Sequence, residues 1–148
     1  MERAQRHHKH TRHLYGLLWH PTRQCYIGQT VDMERRRKEH ARAWSNPFEM
    51  IHLETMEGTQ LDAEDHEYAW RFRCSESGWV PLGKTREGKV FVIQPRKRMT
   101  PARHAIAQRC RWPKRYRINR AALPWWFQWM FWQGAALAGV VLTLRLPL

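Results

Sequence analysis

Tyr15, Tyr26, Arg36 and His40 all fall within one stretch, HLYGLLWHPTRQCYIGQTVDMERRRKEH, residues 13–40. An arginine offers a permanently charged fork that can grip two oxygens of a phosphate at any working pH. A histidine four residues later on a helix lies on the same face, where it can act as acid, base or hydrogen-bond support. A tyrosine beside cations can have its hydroxyl made acidic enough to take a proton from water. Each residue alone is ordinary. Tyrosines are good strand residues, Arg36 belongs to a basic run (Arg35, Arg36, Arg37, Lys38), and a single histidine is usually at the surface. Their spacing is what raises them together.

The elements that must position them follow from local pattern. Residues 13–28 read as a β-hairpin: Leu14, Leu17, Leu18 and Trp19, a polar turn containing Pro21, then Cys25, Tyr26 and Ile27 closed by Gly28. Thr30 or Asp32 can cap the next helix, Glu34 suits its first turn, and Ser45-Asn46-Pro47 breaks it after Trp44. Phe48–Met56 alternates as a third strand. Gly58 and Thr59 turn the chain, and Leu61 to about Arg73 fits a second helix. Residues 75–89 are turn-rich, and Val90–Ile93 suits a short strand. Past Gln94, basic residues at irregular spacing interrupted by prolines read as a linker, with a short helix around 101–111.

The chain has 148 residues and a formal net charge of +13, which calls for an anionic partner, nucleic acid or an anionic membrane surface. Nearly all the excess lies in residues 84–120, with 13 Lys or Arg against Glu87. Arg96, Lys97 and Arg98 open the densest part, and Trp112 and Tyr116 stand among the charges as bases-stacking residues would. The same charges suit a juxtamembrane polybasic stretch. Residues 48–82 are acidic. Residues 1–12 form a basic arm in which His7, His8 and His10 read as a solvated tail rather than a metal site. Cys25, Cys74 and Cys110 make no CxxC pair and read as reduced thiols of a cytoplasmic protein, and the N-terminus has no apolar core of a secretory signal.

Residues 121–144 carry no charge, long enough for a helix to cross a hydrocarbon core of about 30 Å. Trp125, Trp126, Trp129 and Trp132 suit an aromatic belt, and the preceding basic residues would keep the main domain in the cytoplasm, anchored at the inner membrane. Gln128, Gln133 and Pro124 speak for the other option, a packing helix.

With two tyrosine-bearing strands, the run YIGQTVDMERRRKEH, and a helix arginine followed by histidine, residues 13–82 resemble the GIY-YIG nuclease superfamily. His13 stands where the family has the first glycine, and Arg37 where an apolar residue usually follows the helix arginine. The resemblance implies a metal-dependent endonuclease hydrolysing DNA phosphodiester bonds, with RNA left open as substrate. Tyr15 would be the base, Tyr26 would position phosphate or water, and Arg36 and His40 would assist. It also implies a glutamate on the second helix holding Mg²⁺ or Mn²⁺. Glu67, followed by Trp70, fits that place, with Glu64 as runner-up. Many members carry an asparagine where Gly83 stands, so a binding module without turnover is the alternative function. The expected architecture is α+β: a mixed, mainly antiparallel three-stranded sheet with two or three helices. It spans residues 13–93, followed by a basic linker (94–120) and the apolar tail (121–148). Arg35, Arg37, Lys38, Arg96, Lys97 and Arg98 are the expected nucleic-acid contacts.

Overall fold

A computed structural model describes residues 7–118. The elements run β1 (His10–Trp19), β2 (Gln24–Thr30), α1 (Met33–Ala43), β3 (Glu49–Gly58), α2 (Gln60–Glu76), β4 (Val80–Lys84), β5 (Val90–Val92) and α3 (Pro101–Arg109), with 3₁₀ turns at Pro95–Arg98 and Lys114–Tyr116. The fold is α+β. The sheet has five strands in the order β3-β1-β2-β4-β5, rather than the three expected. β2 and β4 pair in parallel and the other neighbours are antiparallel. β4 escaped the pattern because VPLGK carries Pro81 and Gly83, the usual marks of a turn. Its pairing is made instead through a crossover by α2.

Strand β1 is interior, paired with β3 on one side and β2 on the other, which explains why HLYGLLW is apolar on both faces. Leu14 and Leu18 join Cys25, Ile27, Ile51, Ala69 and Trp70 under α2 and α3. Tyr15, Leu17 and Trp19 join Leu82 on the opposite face, with Tyr26, Met33, Trp44 and Phe48 packed against them. Helix α1 covers that second face. Its N-cap is Asp32, whose carboxylate accepts from the Arg35 N–H at 3.0 Å. Thr59 and Asp62 form a reciprocal capping box that starts α2 just after β3. The β1–β3 register slips between Leu14 and Tyr15, leaving Leu53 as an extra residue in β3. A bulge of this kind re-aims neighbouring side chains, and here it falls beside Tyr15.

The stretch read as a linker packs onto the domain as far as Ile118. Pro95, Ala107, Cys110, Trp112 and Tyr116 are buried. Arg73 donates from Nε to Ala107 O at 2.6 Å, Arg103 Nε lies 2.7 Å from Asp65 Oδ1, and the Trp79 indole N–H donates to Tyr116 O. Trp112 and Tyr116 are therefore core residues with no ring face left for a base. The acidic run 48–82 and the basic segment after it pack in one fold, joined by the Arg103–Asp65 ion pair.

Cys25 on β2 and Cys74 on α2 are joined as a disulfide, against the expectation of three reduced thiols. The two lie far apart in sequence, and it is strand–helix packing that brings them together. Cys110 is free and buried, its thiol pushed up to about 12 chiefly by burial. The apolar tail, 121–144, lies outside the described residues. Among the described residues no helix is long and apolar enough to cross a membrane.

Candidate active site at the open edge of strand β2

Strand β4 pairs with only Gln24–Tyr26 of β2, so the edge from Ile27 onward is left open beside it. Two groups of side chains meet at this edge. The first comes from β1, β2 and α1. Tyr15 is 2% exposed, and its Oη lies 2.7 Å from His40 Nε2. The Tyr26 and His40 ring centroids are 5.6 Å apart, and Trp44 donates from Nε1 to His40 Nδ1 at 3.2 Å.

Gly28 makes this arrangement sterically feasible. It faces Tyr15 across the β1–β2 ladder, and a Cβ at position 28 would sit 2.6 Å from Tyr15 Oη and 3.1 Å from the Tyr26 ring. The glycine of the YIG run is thus the space into which one tyrosine lies and against which the other rests. No left-handed backbone is needed at this position.

The second group comes from α2 and the far end of β2. Glu67 and Arg71 are each 13% exposed as side chains, and Arg71 Nη2 lies 3.4 Å from Glu67 Oε1 and donates to Ile27 O at 3.4 Å. Gln29 Nε2 reaches Glu67 Oε2 at 3.5 Å and Gln60 O at 3.3 Å. These contacts to the carboxylate are long, at the limit of hydrogen bonding. Burial accordingly pushes the Glu67 carboxyl up, with Arg71, Gln29 and Arg36 opposing and Glu64 reinforcing. A buried carboxylate so loosely held is a ready oxygen ligand for a hard cation. Glu64, the runner-up, is taken up by Gln60 Nε2 at 3.4 Å. Among the described residues no cluster of three or more His, Cys, Asp or Glu could enclose an ion.

Arg36 connects the two groups electrostatically. Its charge acts on Tyr15, Tyr26, His40 and Glu67, and its guanidinium Nη1 pairs with Glu39 Oε2 at 2.8 Å. Arg36 Nε and Arg71 Nε are buried donors without a hydrogen-bond partner among the described residues. Buried polar groups are nearly always paired, and these two guanidinium nitrogens are exceptions to that rule within the cluster. Burial keeps the neighbouring groups neutral. It pushes both tyrosine hydroxyls up, Arg36 opposing, and brings His40 down to about 4 with help from Arg36 and Lys84.

No protein-family model matches this chain, and neither a curated protein nor a solved structure does.

The structure thus brings Tyr15, Tyr26, Arg36, His40 and Glu67 to one edge. Arg35, Arg37 and Lys38 project from α1 into solvent beside Glu39 and Glu34 (3.8, 3.1 and 3.6 Å), outside the cluster. Arg96 and Lys97 are exposed on the 3₁₀ turn, and Arg98 donates from Nη1 to the Tyr68 hydroxyl at 3.1 Å, next to Glu67. The guanidinium carbons of Arg71 and Arg103 lie 4.9 and 4.1 Å from the Tyr68 ring centroid. Four further residues belong to the cluster: Gln29, Trp44, Arg71 and Lys84. Two had a readable signal, since Trp44 continues the four-residue step from Arg36 through His40, and Arg71 stands four after Glu67. Lys84 had none. Its Nζ lies 4.6 Å from the Trp44 ring centroid, while Gly83 beside it is packed under Phe91, where a Cβ would come within 2.5 Å of the ring. A side chain at 83 would have to displace the half-exposed Phe91 ring.

Proposed function

We propose that this chain is a divalent-metal-dependent endonuclease that hydrolyses DNA phosphodiester bonds at the open edge of β2, and that its fold is of the GIY-YIG kind. The observation that carries this is the convergence there of a tyrosine–histidine pair, a loosely held buried glutamate and two buried guanidinium donors without partners. A scissile phosphate needs its charge neutralised, an attacking water oriented and the leaving oxygen stabilised. Arg36 and Arg71 present donors for the phosphate oxygens. Tyr15 and Tyr26 present hydroxyls that orient the phosphate and water. Mg²⁺ or Mn²⁺ held by Glu67 and its own water shell would supply Lewis-acid stabilisation of the leaving oxygen. A site with a single carboxylate suits Mg²⁺, which keeps several waters when bound. The exposed Arg96 and Lys97, with the Arg98–Tyr68 pair, would hold flanking phosphates without reading sequence.

DNA binding without turnover is the second function, and one observation favours it. Burial pushes the Tyr15 hydroxyl up, away from the deprotonated form a general base requires. Nicking of supercoiled plasmid with Mg²⁺, Mn²⁺ or EDTA separates the two. Metal-dependent nicking supports the enzyme, and salt-sensitive binding with no nicking in either metal supports the binding module.

A further inference from the structure

We propose that Trp44 fixes the proton of His40 on Nε2 and so turns the Tyr15 hydroxyl hydrogen away from the histidine. An indole N–H can only donate, so His40 Nδ1, 3.2 Å from Trp44 Nε1, must be an acceptor and carry no proton. A neutral imidazole has one N–H, which therefore lies on Nε2. There it faces Tyr15 Oη at 2.7 Å and donates to it. The tyrosine oxygen is the acceptor of that bond, and its own hydrogen is left for another partner. The direction of donation runs from Trp44 through His40 to Tyr15.

Trp44 is built to hold this direction. It caps α1 with its backbone N–H on His40 O at 3.0 Å, so main chain and side chain grip the same residue. Its ring rests 4.7 Å from that of Trp19 and 5.9 Å from that of Tyr26, with the Lys84 ammonium over one face. His40 is kept neutral by burial and by the cations Arg36 and Lys84, as the bond from Trp44 requires. One chemical consequence is exclusive. With Nε2 protonated, His40 cannot receive the Tyr15 proton, so it serves the tyrosine as a donor that steadies the oxygen. Trp44 is a positioning residue, and only its effect on cleavage rests on the proposed function.

The test is the long-range proton–nitrogen spectrum of nitrogen-15-labelled full chain at neutral pH, wild type beside Trp44→Phe. Phenylalanine keeps a ring against Trp19 and Tyr26 but removes the donor. The expected result is His40 protonated on Nε2 in the wild type, with a substantial Nδ1–H population in the variant. Nicking by the variant is expected to fall about ten- to hundredfold. A wild-type His40 protonated on Nδ1, or an unchanged Nε2–H population in folded Trp44→Phe, overturns the proposal. If the variant does not fold, the wild-type spectrum alone decides between the same two outcomes. A wild type that never nicks DNA would defeat the nuclease function and leave the tautomer measurement standing.

Discussion

The two sides of the site are held in opposite ways. On the α1 side, His40 is gripped at both nitrogens, by Tyr15 at 2.7 Å and Trp44 at 3.2 Å, among aromatic rings that keep it uncharged. On the α2 side, Glu67 meets Gln29 and Arg71 only at 3.5 and 3.4 Å, and Arg71 Nε, like Arg36 Nε reaching over from α1, has no hydrogen-bond partner among the described residues. The neutral side is complete in itself. The charged side is unfinished, and its cost of desolvation is the kind that a bound cation and a bound anion would jointly relieve. Binding energy should therefore be gained around Glu67, Arg71 and Arg36, while Tyr15, His40 and Trp44 supply orientation.

Breaking the charged side should have the largest effect on activity and the least on folding. Arg36→Ala removes a guanidinium whose one ion pair among the described residues is the contact with Glu39, at 2.8 Å. Cleavage should fall about 10²–10³-fold, as when one donor to a developing charge is removed, with the melting temperature nearly unchanged. Steady-state nicking rates beside a thermal melt would show it, and full activity would remove Arg36 from the site.

Breaking the neutral side should disturb both. Gly28→Ala places a methyl group 2.6 Å from where Tyr15 Oη now lies. The ring must move, at a cost of about 1–3 kcal/mol in urea-unfolding stability, and the Tyr15–His40 bond should be lost. Unchanged stability and activity would mean that the two tyrosines do not share this space.

The mildest contrast is in pH. His40 is lowered from 6.5 to about 4 in the folded chain, mainly by burial and next by Arg36. Between those values the unfolded chain binds more protons, so the contribution is complete above about pH 6.5 and is lost as pH falls towards 4. Because the ring is only half-buried, the loss should be about 1–2 kcal/mol after solvent screening. Protonation also places a hydrogen on Nδ1 and ends its acceptance from Trp44. A His40→Phe variant should flatten this part of the stability–pH curve, and an equally steep curve would assign the acid loss elsewhere.

What could be read from the sequence was whatever local spacing determines. The hairpin, the start of α1 and the shared face of Arg36 and His40 follow from turn residues, caps and steps of four, while the choice of Glu67 on α2 came from the family resemblance. What could not be read depends on contacts distant in sequence. Strand β4 hides behind Pro81 and Gly83, and its parallel partner is set by the path of α2. The basic segment looked like a linker because its apolar residues are sparse, yet Trp112 and Tyr116 complete the core under Trp79. Arg103 of this segment fits because Asp65 awaits it, and the Ala107 carbonyl accepts from Arg73 of α2. Cys25 and Cys74 are joined for the same reason, a strand and a helix meeting face to face.

The most direct test of the central claim is nicking of supercoiled plasmid by the full chain with Mg²⁺, Mn²⁺ or EDTA, beside Glu67→Gln. Glutamine keeps the size of the side chain and one of its two acceptor oxygens but removes the charge a metal needs. Metal-dependent nicking is expected of the wild type, with a loss of at least about 10³-fold in the variant. Undiminished metal-dependent nicking by Glu67→Gln would contradict the claim.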